Sequence, residues 1–309
     1  WHSINHKDWA AIYGPVALLA FKGITAFSSD PLFMKNIFVL CDLLTVLVLA
    51  MLLFHLGKHP GSLVLYALNP LVLLAFAGEG HSDSLAIMLS VTSFFLFYKK
   101  KWFWSAVLAA LAVGSKFTLI LFLPFLIRKE NRVYIFVLIS ALIIPYFAFD
   151  ASMPEMFDSL LRFGSQLRFN DSIHALLFAL FGGSLSGLIC VLLLGAAVFF
   201  IWITQDSLLR GAFLVSFAFL LLAPTVHYWY ICMMLPFLVF VPAAPALMWS
   251  LTSVFYFNVI WRLDHGQGYV HDPMDQWLQY VPVFICLLVV FYRKMRGSVE
   301  ECTTEMLST

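Results

Sequence analysis

Three ionisable side chains fall within five residues at Glu79-Gly80-His81-Ser82-Asp83, between two apolar segments, and a lone lysine, Lys116, sits inside a third. A charge at membrane depth costs roughly 2.5–3.5 kcal/mol on insertion scales, so such groups are kept for function. Carboxylates and an imidazole beside a buried ammonium suit chemistry on a phosphate leaving group. The lysine would neutralise the phosphate, and a carboxylate would take a proton from an acceptor hydroxyl. Other polar groups of the same kind recur along the chain: His2, His6, Asp8 and Tyr13; Asn170, Asp171 and His174; the run Pro224-Thr225-Val226-His227-Tyr228-Trp229-Tyr230; and Asp264, His265, His271 and Asp272.

Each group also has a plainer reading. Ser82 and Asp83 are good helix N-cap types, so His81 and Asp83 could serve only to start the helix from residue 84. Glu79 could pair with Lys116 as a structural ion pair. His227-Tyr228-Trp229-Tyr230 could be an interfacial aromatic belt. His265 and His271 read as exposed loop residues rather than ligands, and Lys35 and Asp42, seven residues apart on nearly one helix face, read as stabilisers of the bundle.

The elements that must position these groups are helices in a membrane. The chain has 309 residues, 62% of them hydrophobic and 11% charged, whereas soluble domains carry about 25% charged residues. This predicts an all-α polytopic membrane protein. A net charge of +1 says nothing about nucleic acid, and no basic run suits such a partner, so none is expected. Cys41, Cys190, Cys232, Cys286 and Cys302 lack CxxC or Cys/His spacing and read as small core residues. Carboxylate-lined sites can hold Mg²⁺ or Mn²⁺, but no ligand spacing here demands a divalent cation, so no metal site and no cofactor are assigned.

The chain opens on Trp1, and a polar-aromatic loop runs to Tyr13. Gly14-Pro15 opens an apolar run to Phe27 too short to cross about 30 Å of hydrocarbon, read as interfacial. Spans are expected at 32–55, 62–78, 84–98, 133–149, 184–203, 210–224, 228–241, 246–261 and 278–292, about nine in all. Residues 150–183 and 262–277 form the longer loops. Residues 1–298 make one transmembrane domain, expected to lack an upstream helix, and 299–309 a frayed polar tail. Lys58, Lys99-Lys100-Lys101, Arg128-Lys129, Arg132, Arg210 and Arg293-Lys294-Arg296 share the cytoplasmic side only if residues 103–127 enter and leave on one face. Gly114-Ser115-Lys116 divides that segment into halves of about 18 Å each. A broken helical hairpin with Lys116 near its tip follows, a form tolerated where it lines a polar cavity.

The succession IYGPVALLAF, KNIFVLCDLL, YALNPLVLLAFAGEGHSDSLAI, LAVGSKFTLILFLPFLI, RFNDSIHALL and APTVHYWYICMMLPFL resembles the GT-C membrane glycosyltransferases. It is most similar to their bacterial, mannosyltransferase-like branch that uses polyprenyl-phosphate sugars. The resemblance runs from about residue 10 to 241, and the Asn-Pro-Leu…Gly-His-Ser-Asp and Pro-Thr-x-His-x-Trp-Tyr blocks are its more specific parts. It implies inverting transfer of a hexosyl, above all mannosyl, group from a polyprenyl-phosphate sugar to a glycan, lipid or protein acceptor. The reaction would occur on the non-cytoplasmic face of the bacterial inner membrane, toward the periplasm. On this likeness Asp83, Glu79 and His81 are the catalytic candidates, and Lys116 takes the donor phosphate. His227, Tyr228, Trp229 and Tyr13 complete the substrate-binding set. The family's principal catalytic aspartate lies in the first external loop, within which this chain begins. Asp8, the only acidic residue left there, matches no motif position, so that base is expected upstream of the sequence given. Tyr13-Gly14-Pro15 stands where the family has Tyr-Pro-Pro.

The rival class is a multi-pass carrier of a lipid-linked or anionic substrate, which also uses broken helices and buried charges. Carriers often pair two halves with matching interruptions; this chain shows one interruption, and its polar clusters lie at one rim. A non-catalytic membrane subunit is the third class, and the cost of so many rim charges speaks against it. An enzyme should gather Glu79, His81, Lys116 and His227 around one cavity; a carrier should string them along a central path.

Overall fold

The computed structural model describes residues 11–127, 133–149 and 153–308. His2, His6, Asp8, Arg128, Lys129 and Arg132 lie outside the described residues. The contacts divide the chain into two compact units, Trp1–Val241 and Pro242–Thr309. Both are helical where described, and every candidate site residue belongs to the first.

Among the described residues, three helices are long and apolar enough to cross a membrane, Pro31–His55, Gly183–Thr204 and Pro273–Arg296, and a bent pair, Pro60–Ala67 with Pro70–Gly78, makes a fourth. Most other segments expected as spans are shorter apolar helices, including Asp83–Tyr98, Tyr134–Ala148, Leu208–Leu222 and Tyr228–Leu238. By length and composition, three or four of the nine expected spans are full-length helices among the described residues. Hydropathy counts apolar residues, but prolines and polar breaks decide where a helix stops.

The bend at Asn69-Pro70 shows this locally. Asn69 is extended (φ −67°, ψ 122°), as a residue before proline prefers, and its side chain accepts from the Leu71 amide at 3.0 Å. The chain then forms a π-helical stretch over Leu73–Gly78. Such widened turns are rare and recur at functional sites. Lys35 donates to the Gly78 carbonyl at 2.6 Å and closes that stretch. Gly80 follows at φ +71°, a left-handed conformation that favours glycine, where a Cβ would come within 2.9 Å of Lys35. Asp42, on the same helix as Lys35, accepts from the Tyr66 hydroxyl at 2.7 Å. Each of the two residues therefore ties Pro31–His55 to the bent pair, the bundle role expected of them.

The core of the first unit is the antiparallel pair Asp83–Tyr98 and Trp102–Ser115. Midway, Ser93 and Ser105 donate to each other's carbonyls at 2.7 and 2.9 Å, and buried Ala106, Ala109 and Ala110 let the helices approach closely. The second helix stops at Ser115, and Lys116 is extended (φ −143°, ψ 109°). The chain resumes as Phe117–Phe122 and Leu123–Leu126. The ring of Phe122 lies 5.6 Å from that of Phe94, eleven residues along from Asp83, so the chain has turned back beside the helix it climbed with. The broken hairpin read from Gly114-Ser115-Lys116 is present, with Lys116 at its tip.

In the second unit, the loop expected at 262–277 is partly helical, since Phe257–Asp264 takes its first residues and Pro273–Ser308 its last. Asp275 accepts from Arg262 and from Asn258, each at 2.6 Å, and closes the loop. Asp264 and His265 are exposed, the latter stacked on Trp261, and His271 is half-buried. The last helix continues through the polar tail to Ser308 instead of ending near Arg296.

Candidate active site

A cavity of about 310 Å³ opens where the hairpin tip meets the N-terminus of Asp83–Tyr98. Its polar wall carries Asp83, Lys116, Thr225 and His227; Tyr13, Trp229, Tyr230, Leu160 and Phe163 supply aromatic and apolar surface. Two buried glycines bring the elements together. A Cβ on Gly14 would meet the Gly114 carbonyl oxygen at 2.0 Å, and one on Gly114 would meet the Val16 side chain at 2.6 Å. Backbone thus touches backbone where Pro15–Phe27 starts, which sets Tyr13 two residues from the Lys116 turn.

Lys116 forms an ion pair with Asp83, and the two side chains are 18% and 10% exposed. The ammonium also lies 4.0 Å from the centre of the Tyr230 ring, a cation–π contact that helps hold an unhydrated charge. Asp83 occupies the first turn of its helix, where a negative charge meets the positive end of the helix dipole. Ser82, at the N-cap, makes no side-chain capping bond. The capping reading of this block therefore gives way to an ion pair that faces the cavity.

The expected Glu79–Lys116 pair is corrected as well. The Glu79 carboxylate accepts from the Tyr228 hydroxyl and lies 3.2 Å from His81 Nε2. His81 Nε2 is also 3.2 Å from the Tyr228 oxygen. Glu79 follows the π-helical stretch, whereas Asp83 opens the next helix and meets Lys116 at the hairpin tip. Glu79 and His81 do not line the cavity; they reach it through aromatic neighbours. The His81 imidazole stacks on Trp229 at 4.1 Å, and His227 stacks on the same indole at 4.4 Å. Burial holds both imidazoles below their ordinary pKa. The effect on His81 is partly offset by Glu79, while His227, with Lys116 and His81 adding to burial, is lowered to about 3. Near neutral pH both rings are uncharged, so they serve as hydrogen-bonding and stacking surfaces.

The segment holding His227 is clasped to the long loop. Phe169 and Thr225 form a parallel bridge, the Phe169 amide donates to Pro224 at 3.0 Å, and the Val226 amide donates to Phe169 at 2.9 Å. Asn170, at φ +52°, donates from its side chain to the Val226 carbonyl at 3.0 Å. Behind this clasp, Asp171 accepts from Arg168 Nε and pairs with His174 Nδ1, each at 2.7 Å. Asp171 and His174 are buried and line no part of the cavity. The acid and imidazole at 171 and 174 thus brace the wall instead of joining the polar face.

Sequence reasoning missed Tyr230 as the partner of the ammonium, the Tyr228–Glu79 bond and the contribution of the long loop. The helix Met153–Gln166 puts Leu160, Phe163 and Gly164 on the cavity. Its apolar spacing was the one available signal. Among the described residues, no three side chains of metal-ligand type converge.

Residues 5–129 match the family described as Alpha-(1->6)-mannopyranosyltransferase, N-terminal domain, the MptA_B family. The match takes in Tyr13, Glu79, His81, Asp83 and Lys116 and ends before the His227 segment. It bears out the resemblance to GT-C mannosyltransferases and supports mannosyl transfer by a membrane glycosyltransferase. No curated protein matches the chain.

Proposed function

We propose, from that similarity, that this membrane protein moves a mannosyl group from a polyprenyl-phosphate donor to an acceptor hydroxyl on the non-cytoplasmic face of the bacterial inner membrane. The observation that carries the reading is the Asp83–Lys116 pair, buried yet facing a cavity with apolar and aromatic walls. An ammonium held there by Asp83 is a preorganised partner for a leaving phosphate, and it needs little reorganisation when charge develops. The apolar wall suits a prenyl chain, and the Trp229 face suits a sugar ring.

In the reaction, the acceptor oxygen attacks the anomeric carbon from the side opposite the phosphate. The carbon–oxygen bond to phosphate breaks with inversion, and polyprenyl phosphate leaves against Lys116. The proton of the acceptor hydroxyl passes to a carboxylate. Asp83, in contact with Lys116, lies on the leaving-group side and orients that ammonium; the base is a separate carboxylate on the acceptor side, and Asp8 lies outside the described residues. Glu79 and His81 position Tyr228 and Trp229, and neutral His227 offers a hydrogen bond to sugar or phosphate. Tyr13 closes the side opposite Trp229.

The test incubates purified protein in proteoliposomes with radiolabelled polyprenyl-phosphate mannose and an acceptor glycan. Wild type should transfer label, and Lys116→Ala should insert normally and transfer none. Unimpaired transfer by Lys116→Ala removes the assigned role. Labelling from a nucleotide sugar alone, without the lipid donor, overturns the donor class.

A further inference from the structure

At the end of Asp83–Tyr98 away from the cavity, a second hollow opens on the bundle surface. Asp83 and Lys99 are separated by about 24 Å along that helix, so the two features sit at opposite ends. The hollow measures about 570 Å³ and is lined by Ala50, Met51, Phe54, His55, Phe95 and Lys99. Four of the six are apolar, and Phe54 is 89% exposed. Its polar atoms are confined to one end, where the helices Pro31–His55 and Asp83–Tyr98 both terminate.

The charge there is one-sided. Lys99, Lys100 and Lys101 are consecutive and exposed, and Lys58 follows His55 across the turn. No carboxylate side chain occurs between Asp42 and Glu79 or from Ser84 to Ile127, so neither wall of the hollow supplies a counter-ion. A cation at a helix C-terminus offsets the helix dipole. That and the bias of basic residues toward the cytoplasmic side account for the triplet; neither accounts for Lys99 lining an apolar trough. The ammonium of Lys99 sits 5.9 Å from the Phe95 ring centre, poised over the mouth.

We infer that this hollow is a binding site for an anionic phospholipid, with one acyl chain along Met51, Phe54 and Phe95 and the phosphate against Lys99 and His55. An apolar trough capped by unneutralised cations at a helix end is complementary to such a lipid, and basic pockets between membrane helices bind anionic head groups by this logic. A zwitterionic lipid fits the trough equally well but gains little from the cap.

The test reconstitutes the full chain in mixed vesicles, extracts it gently, and measures retained phosphatidylglycerol against phosphatidylcholine by native mass spectrometry. Each cation near an anionic head group is worth about fivefold, so wild type should favour phosphatidylglycerol by roughly tenfold or more. Lys99→Glu should bring that preference to about unity. Lys101→Glu changes net charge equally but lies outside the trough, and should retain most of it. Ala50→Trp should fill the trough and lower retention of both lipids. Equal retention of the two lipids by wild type overturns the proposal. So does an equal effect of Lys99→Glu and Lys101→Glu, which would mean diffuse attraction without a site. Mannosyl transfer plays no part in these readouts.

Discussion

Asp83 is half-buried and Asp171 buried, and each is paired with a cationic or imidazole partner, yet one faces a cavity and the other faces packing. The difference lies in the backbone around them. Asp83 meets its partner where a helix has been interrupted, so the turn at Lys116 leaves space that no side chain fills. Asp171 meets Arg168 and His174 within three residues on either side, and Ser186 closes in at 3.5 Å from His174. A local pair seals itself, whereas a pair made across two elements with a break between them leaves a site. Buried charge alone does not distinguish chemistry from bracing; the adjoining void does.

The sharpest way to break this comparison is to exchange the consequences of losing each pair. Lys116→Ala should lower mannosyl transfer by about a hundredfold or more, the scale of losing a preorganised electrostatic donor, while the protein still inserts. Asp171→Asn should do the reverse. It should cost about 2–3 kcal/mol of stability, toward the low end for a broken buried pair because Arg168 is partly exposed. Transfer measured below the lowered melting temperature should stay within about threefold of wild type. If Asp171→Asn abolishes transfer at full stability, the brace belongs to the catalytic machinery.

Smaller changes sharpen the contrast. Trp229→Leu removes the indole on which His81 and His227 stack, and should raise the donor KM by about fivefold, the worth of an aromatic contact, with kcat changed less. The weakest effect is on pH. Because His227 is held near 3 when folded and returns to about 6.5 when unfolded, the unfolded chain binds the extra proton between those values. Stability is therefore full above about pH 6.5 and declines as pH falls toward 3. Melting temperatures from pH 7 to 5 should drop less in His227→Gln than in wild type. Equal slopes would mean that the imidazole is not shielded as described.

The hairpin and the site's vicinity were legible because their signals are local. Gly114-Ser115-Lys116 inside an apolar run, bounded by basic residues, favours a break over one straight span with a snorkelling lysine, and Asn69-Pro70 marks its own bend. The partners were not legible. Whether Lys116 meets Glu79 or Asp83 is a tertiary contact across 33 or more positions, and the π-helical stretch at Leu73–Gly78 between bend and acid has no pattern of its own in the sequence. Tyr228 reaches Glu79 across 149 positions, and Gly14 reaches Gly114 through a contact that neither neighbourhood announces. The length of each span was not legible for a related reason: Asp83–Tyr98 and Leu208–Leu222 are as apolar as a full-length span but stop short of one.

The half-helix Trp102–Ser115 bears on how the protein is made. At about 21 Å, it is too short to cross the bilayer unaided, and its tip carries an ammonium that hydrocarbon rejects. Its natural mate during synthesis is the segment that leaves the ribosome just before it, bearing Asp83. Biogenesis must therefore deliver the two as a neutral couple, with the acid waiting for the base before either settles into lipid.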